Sequence, residues 1–100
     1  MRIIAKRRLR EYWQAHPETE QPLKAWFADA EAAVWRTPSD VKRAYGNASI
    51  VGGERVVFNI RGNHFRLVVA VDYEDGVILI KWIGTHREYD AIDVETVGKD

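Results

Sequence analysis

Cysteine is absent from the chain, so no disulfide framework can staple it and no thiolate zinc site can form. That composition suits a reducing compartment. Long apolar runs are missing too: Met1-Arg2-Ile3-Ile4 runs at once into Lys6, Arg7, Arg8 and Arg10, leaving nothing long enough for a secretory leader or a membrane span. By elimination the expectation is a cytoplasmic protein with no membrane partner. Net charge is also lacking. Fifteen basic and fifteen acidic residues balance, which argues against a protein that coats nucleic acid through a globally basic surface. There is no internal repeat, low-complexity tract or linker, and 100 residues leave room for one domain.

What is present suffices for one core. A hydrophobic content of 46% with four tryptophans excludes disorder as the default reading. The charges, though balanced in sum, are unevenly placed. Basic residues crowd the first turns, and from Arg55 to Val71 there are three arginines and no acid. The tail is acidic, with Glu88, Asp90, Asp93, Glu95 and Asp100. A local basic surface is therefore expected.

Arg2 to Ala5 is β-prone, and Leu9, Tyr12 and Trp13 then stand at helical spacing. His16-Pro17 should end that helix, because the residue before proline is pushed out of the α region. A second helix is predicted from near Gln21-Pro22, with Leu23, Trp26, Phe27, Ala30 and Val34 along one face. Thr37-Pro38-Ser39-Asp40 reads as a third helix start: a capping threonine, proline in the first position, and an acid near the positive end of the dipole. Gly46 stops it.

From Ala48 onward the pattern becomes extended, with turn chemistry at Gly52-Gly53, Gly62-Asn63 and Asp75-Gly76. Val56, Phe58 and Ile60 are expected to share a core face with Phe65, Leu67, Val69, Val71, Ile78, Ile80 and Trp82. The opposite face carries Arg55, Asn59, Arg61, His64, Arg66 and Lys81, interrupted by Val57, Val68, Leu79 and Ile83. The fold class is then α+β: a short N-terminal strand and two to three helices packed on an antiparallel β-meander. Residues 1–100 form one domain, with those after about 94 a loose tail.

If Gly62-Asn63 is a two-residue loop, Asn59 faces Arg66 and Arg61 faces His64. If Asp75-Gly76 is another, Ala70 faces Lys81 and Arg66 faces Thr85, which brings Thr85 to Asp90 beside the same cations. A slip of one residue would send these side chains to the other face. Cleavage of RNA by internal attack of a 2′-hydroxyl needs a proton acceptor, positive charge or donors on the phosphate, and a proton donor for the leaving oxygen. His86 or His64 supplies the titratable group, Arg66 a bidentate fork, and Tyr89 a stacking or acid–base group.

Each residue also has a plainer reading. His64 sits beside a hairpin tip, where polar residues are common. Arg66 could simply pair with Glu88 or Asp90, and Lys81 could extend its amine past the sheet edge into water. The basic run from Lys6 to Arg10 reads first as a solvated helix face. Metal chemistry has little support, because the three histidines are far apart in sequence and the one compact acidic group, Glu88 with Asp90, is of a common kind. No triad or dinucleotide fingerprint is identifiable.

The segments EQPLKAWF, NASIVGGERVVFNIRGNHFRLVV and WIGTHREYDAID resemble the HigB toxins, ribosome-dependent messenger RNA endonucleases of bacterial toxin–antitoxin pairs within the RelE-like group. The likeness runs from Met1 to about Asp93. Its most specific pieces are Gly62-Asn63 followed by Arg66-Leu67-Val68-Val69, and Thr85-His86 through Glu88-Tyr89-Asp90. The resemblance implies a RelE-like toxin fold and cofactor-free, metal-free cleavage of messenger RNA in the ribosomal A site, neutralised by a helix-turn-helix antitoxin, HigA. It also implies phosphate stabilisation by Arg66, acid–base work by His86 and base contact by Tyr89. His64 departs from the family pattern. Arg55, Asn59, Arg61, His64 and Lys81 are the expected RNA-binding residues. The alternative, from another class, is a non-catalytic domain whose basic sheet face binds RNA or an acidic protein segment.

Overall fold

Amphipathic helices and alternating strands assemble here into one sheet with helices on one side, in a computed structural model that describes residues 1–99. In chain order the elements are β1 (Arg2–Ile4), α1 (Lys6–Ala15), a 3-10 turn (Pro17–Thr19), α2 (Glu20–Ala32), α3 (Pro38–Ala44), β2 (Ser49–Val51), β3 (Arg55–Ile60), β4 (Phe65–Asp72), β5 (Val77–Thr85) and α4 (His86–Tyr89). The spatial order is β1-β5-β4-β3-β2. All neighbours are antiparallel except β1, which lies parallel to β5 and makes the sheet mixed. The α+β class and the meander are as the residue pattern predicts.

The helices end where their chemistry says they should. Thr37 Oγ1 accepts from the Asp40 amide while Asp40 Oδ2 accepts from the Thr37 amide, a reciprocal capping box that starts α3. At the other end of α2, the Met1 ammonium donates to the carbonyls of Glu31 and Ala33, both at 2.8 Å, and so serves orphan carbonyls of that terminus. Helix α2 stops at Ala32, two residues before Val34, which is 70% exposed. Trp35, at 5%, takes the place in the core that the helical pattern assigned to Val34.

Leu9, Leu23, Trp26, Trp35 and Val41 pack with Val56, Phe58, Leu67, Val69, Ile78 and Ile80 in a single cluster. The Phe58 ring is its hub, with Trp26 at 5.3 Å, Tyr45 at 5.1 Å and Trp35 at 6.0 Å between centroids.

The two hairpins treat register differently. β3 and β4 pair Asn59 with Arg66 and Ile60 with Phe65, as a Gly62-Asn63 turn requires, although the loop is four residues, 61–64, centred on the same point. Arg61 and His64 are turn residues and not a ladder pair. Arg61 adopts φ 52, a left-handed conformation that leaves its side chain on the loop surface. The β4–β5 connection also has four residues, 73–76, and Ala70 faces Leu79 instead of Lys81. A bulge then interrupts β5, since Val69 faces Ile80 while Val68 faces Trp82, leaving Lys81 as the extra residue. Beyond it Arg66 faces Gly84, not Thr85. The faces switch there: Ile83 packs against the core, and Trp82, expected in it, turns to the other side.

Candidate active site

The β3–β4 loop, the end of β5 and the turn after α1 meet at one end of the sheet. Backbone bonding joins the first two, because the His86 amide donates to the His64 carbonyl at 3.0 Å and ties the first residue of α4 to the loop. α4 begins there because Thr85 and Glu88 form a second capping box, with Thr85 Oγ1 accepting from the Glu88 amide at 3.1 Å and Glu88 Oε1 accepting from the Thr85 amide at 2.8 Å. Those bonds, the backbone one first, hold the Glu88 carboxyl below its ordinary range. Glu88 is therefore an ionised cap.

Between these elements lies an open cleft of about 600 Å³, lined by Glu18, Arg61, His64, Thr85, His86 and Arg87 around Phe65. Two imidazoles, two guanidiniums and one carboxylate thus share one solvent-open hollow. Both histidines are exposed, as are Arg61 and Arg87. His16 stands beside it, stacked on Tyr12 with centroids 4.3 Å apart, 6.4 Å from the Phe65 ring, and with Nδ1 3.7 Å from Glu18 Oε1. All three histidines of the chain gather at this end, despite their wide separation in sequence. Tyr12 has a buried hydroxyl without a partner among the described residues. Burial, then the charges of Glu88 and Glu18, push it up to about 12, so it stays protonated near neutrality.

Arg66 and Tyr89 do not line the cleft. Arg66 points to the face away from the helices, where its Nη1 donates to the carbonyls of Asn63 at 2.8 Å and Phe65 at 3.2 Å. Asn59, across the ladder, donates through Nδ2 to Asn63 Oδ1 at 3.1 Å. Tyr89 lies 6.3 Å from the Trp82 ring. No ion pair joins Arg66 to Glu88 or Asp90 among the described residues. The candidates thus divide into a cleft, with His64, His86 and Arg61, and an adjoining shoulder, with Arg66 and Asn59 at the same end of the sheet.

Two expected RNA-binding residues stand elsewhere. Arg55 is 7% exposed and donates through Nη1 to the carbonyls of Val94 at 3.0 Å and Val97 at 2.6 Å, so its Nη1 is engaged by protein at the floor of a hollow shared with Lys81, away from the histidine cleft. The segment after 94, expected to be a loose tail, is what it holds. Lys81 is the bulged residue of β5; its carbonyl accepts from Arg8 Nη1 at 3.0 Å, and it borders separate hollows toward α1 and toward the C-terminal segment.

Three residues of this end were not singled out in the sequence. His16 reads as a helix terminator before Pro17, Glu18 as part of a connection, and Arg87 as a neighbour of His86. Only the charge of Arg87 inside the Thr85–Asp90 block was a usable signal. Among the described residues, no group of three His, Asp or Glu side chains is arranged to hold a metal ion. No helix is long and apolar enough to cross a membrane among them either.

Comparison with known proteins adds a family to this geometry. Residues 19–92 match the family profile of the HigB toxin, described as the RelE-like toxic component of a toxin–antitoxin system. The chain is 25% identical over 92 residues to the mRNA interferase toxin HigB of Escherichia coli strain K12, covering 90% of this chain and 88% of that protein. The mRNA interferases HigB of Escherichia coli O157:H7 and Shigella flexneri match with the same identity and coverage.

Proposed function

The chain belongs to the HigB toxin family, and on that footing we propose that it is an endoribonuclease that cuts messenger RNA on the ribosome, without a bound metal, to stop translation. The observation that carries this reading is the cleft itself, in which His64 and His86 flank a hollow bordered by Arg61 and Arg87. One imidazole accepts the proton of the 2′-hydroxyl as that oxygen attacks the adjacent phosphorus. The other donates a proton to the departing 5′-oxygen, and the guanidiniums stabilise the charge that builds on the phosphoryl oxygens between them. His86 is the leading acid–base group.

Arg66 and Tyr89 have supporting parts in this reading. The described bonds of Arg66 use only Nη1, which leaves its other donors for a phosphate of the messenger, and Tyr89 offers a ring to a neighbouring base. Asn59 contacts the strand along the same shoulder. The zero net charge supports dependence on the ribosome, since a chain with no overall positive charge gains little affinity for free RNA at physiological salt. The partner that restrains it is a helix-turn-helix, HigA-like antitoxin, the substrate is presented in the A site, and the compartment is the cytoplasm.

The test is end chemistry. Ribosomes carrying a defined messenger are incubated with purified protein, and the fragments are mapped. Internal attack leaves a 2′,3′-cyclic phosphate upstream and a 5′-hydroxyl downstream. Downstream 5′-phosphates would overturn the mechanism, and an uncut messenger would favour the non-catalytic binding domain instead.

A further inference from the structure

Arg55 opens β3, deep in the sheet, yet no carboxylate lies within ion-pair distance of it among the described residues. A buried guanidinium is costly unless its donors are satisfied. Here the satisfaction comes from two carbonyls, Val94 and Val97, at 3.0 and 2.6 Å. They belong to a segment without helix or strand, 91–99, that is shaped by short local bonds such as Val97 amide to Asp93 carbonyl at 2.9 Å.

The segment lies close against β5. At Gly98, with φ +76, a Cβ would fall 2.5 Å from the Lys81 carbonyl oxygen, so no side chain fits between strap and bulge. Its other end continues from α4 through amide bonds of Ala91 to the Glu88 carbonyl at 3.1 Å and of Ile92 to the Tyr89 carbonyl at 3.3 Å. A helix of four residues cannot hold itself, because nucleation costs more than one turn returns. Among the described residues, long-range hydrogen bonds fasten the stretch from His86 to Lys99 at two places: at His64, through the His86 amide, and at Arg55.

We propose that Arg55 is a positioning residue for the cleavage site: by anchoring Val94 and Val97 it holds the C-terminal strap on the sheet and so fixes α4, with His86 and Tyr89, against the loop that carries His64. This rests on the ribonuclease reading above. The role differs from the RNA contact expected of Arg55, since the residue acts through the strap and touches no substrate.

Three variants separate these roles: Arg55→Met, which keeps volume and removes the donors; Arg55→Lys, which keeps one donor group; and Gly98→Val, which lifts the strap without touching the core. Ribosome-bound messenger cleavage and amide hydrogen exchange are measured on each full chain. Arg55→Met and Gly98→Val should lower turnover about tenfold or more, because a small misplacement of catalytic groups is expensive. The half-saturating ribosome concentration should stay near wild type, and Arg55→Lys should fall between. Amides from 86 to 97 should lose protection while those of β3 and β4 keep theirs. If Arg55→Met does not fold, Gly98→Val carries the test. Wild-type turnover in a variant whose strap has come loose overturns the proposal, as does unchanged protection at 86–92 in both. A raised half-saturating concentration with unchanged turnover would return Arg55 to RNA contact and also overturn it. If the wild-type protein cuts no messenger, the ribonuclease reading falls, and protection at 86–92 alone decides whether the latch positions α4.

Discussion

On the helix side of the sheet, Phe58, Leu67 and Ile80 are left 1%, 0% and 3% exposed beneath a layer that includes Leu9, Leu23, Trp26 and Trp35. On the other side Val57 and Val68 are buried as deeply, at 2% and 0%, yet the polypeptide that crosses that side is a strap with no helix or strand, to which Arg55 donates two hydrogen bonds. The first closure draws on many square ångströms of apolar area and on dispersion contacts that no single polar group controls. The second adds a few directional bonds, each of modest net value but costly to leave unmade, to the half-buried Ile92, Val94 and Val97. A face closed by area alone makes a scaffold, whereas a strap that is also fixed by directional bonds can set the position of the residues attached to it. α4, which carries His86 and Tyr89, is attached to the second.

Substitutions can break this contrast, and the largest effect is expected on the helix side. Phe58→Ala should cost ~3–5 kcal/mol in chemical denaturation, because it removes the hub of the aromatic cluster and leaves a cavity. A loss of under ~1 kcal/mol would mean that the helix face is not the principal closure. Next comes His86→Gln, predicted to lower messenger cleavage by roughly 10²-fold while leaving the melting temperature nearly unchanged, since the side chain is exposed and its backbone amide still reaches His64. Equal turnover in variant and wild type would remove His86 from the chemistry.

The two capping boxes allow a finer comparison, as they make the same kind of bond on the two sides of the contrast. Thr37→Ala should cost ~1 kcal/mol of global stability and little activity. Thr85→Ala should show its larger effect in cleavage rate, because α4 bears site residues; equal stability losses with unchanged rates in both would erase the distinction. A smaller effect concerns Glu88, whose folded carboxyl lies below its ordinary value of 4.5. A depressed folded value stabilises above the unfolded one, and that contribution is lost as pH falls through the folded value. Wild type and Glu88→Gln should thus differ slightly at neutral pH and converge as the pH falls through the depressed folded value, and a gap that widened on acidification would contradict the capping role. Smallest of all, Val34→Ser should change stability by less than ~0.5 kcal/mol, since the side chain is mostly exposed.

Local chemistry was the most legible part of the molecule. Thr37-Pro38-Ser39-Asp40 announces a helix start without any tertiary help, and the alternation from Val56 to Val71 assigns two strands to the core face they occupy. The β3–β4 register was legible for a geometric reason: a two-residue and a four-residue loop centred on the same point give the same pairing. The β4–β5 register was not, because the bulge at Lys81 has no local signature, and a single inserted residue exchanges Trp82 with Ile83 and moves Arg66 from Thr85 to Gly84. His64 and His86 could be placed near each other from the sequence through the two hairpins. His16 could not, since nothing local says where a helix end will dock.

The amino-acid order alone determined the α+β class, the helix starts and the core strands, because each depends on periodicity or on contacts within a few residues; the family came from the resemblance of its motifs and the profile match over 19–92. Only the folded structure decided that His16, Glu18 and Arg87 join the two expected histidines, that Arg66 stands on the neighbouring shoulder, and that Arg55 grips the C-terminal strap. Those outcomes depend on a bulge and on contacts between residues far apart in the chain, such as His16 with Phe65 and Arg55 with Val97. Such contacts form only when the whole sheet has closed, and no short stretch of sequence carries their imprint.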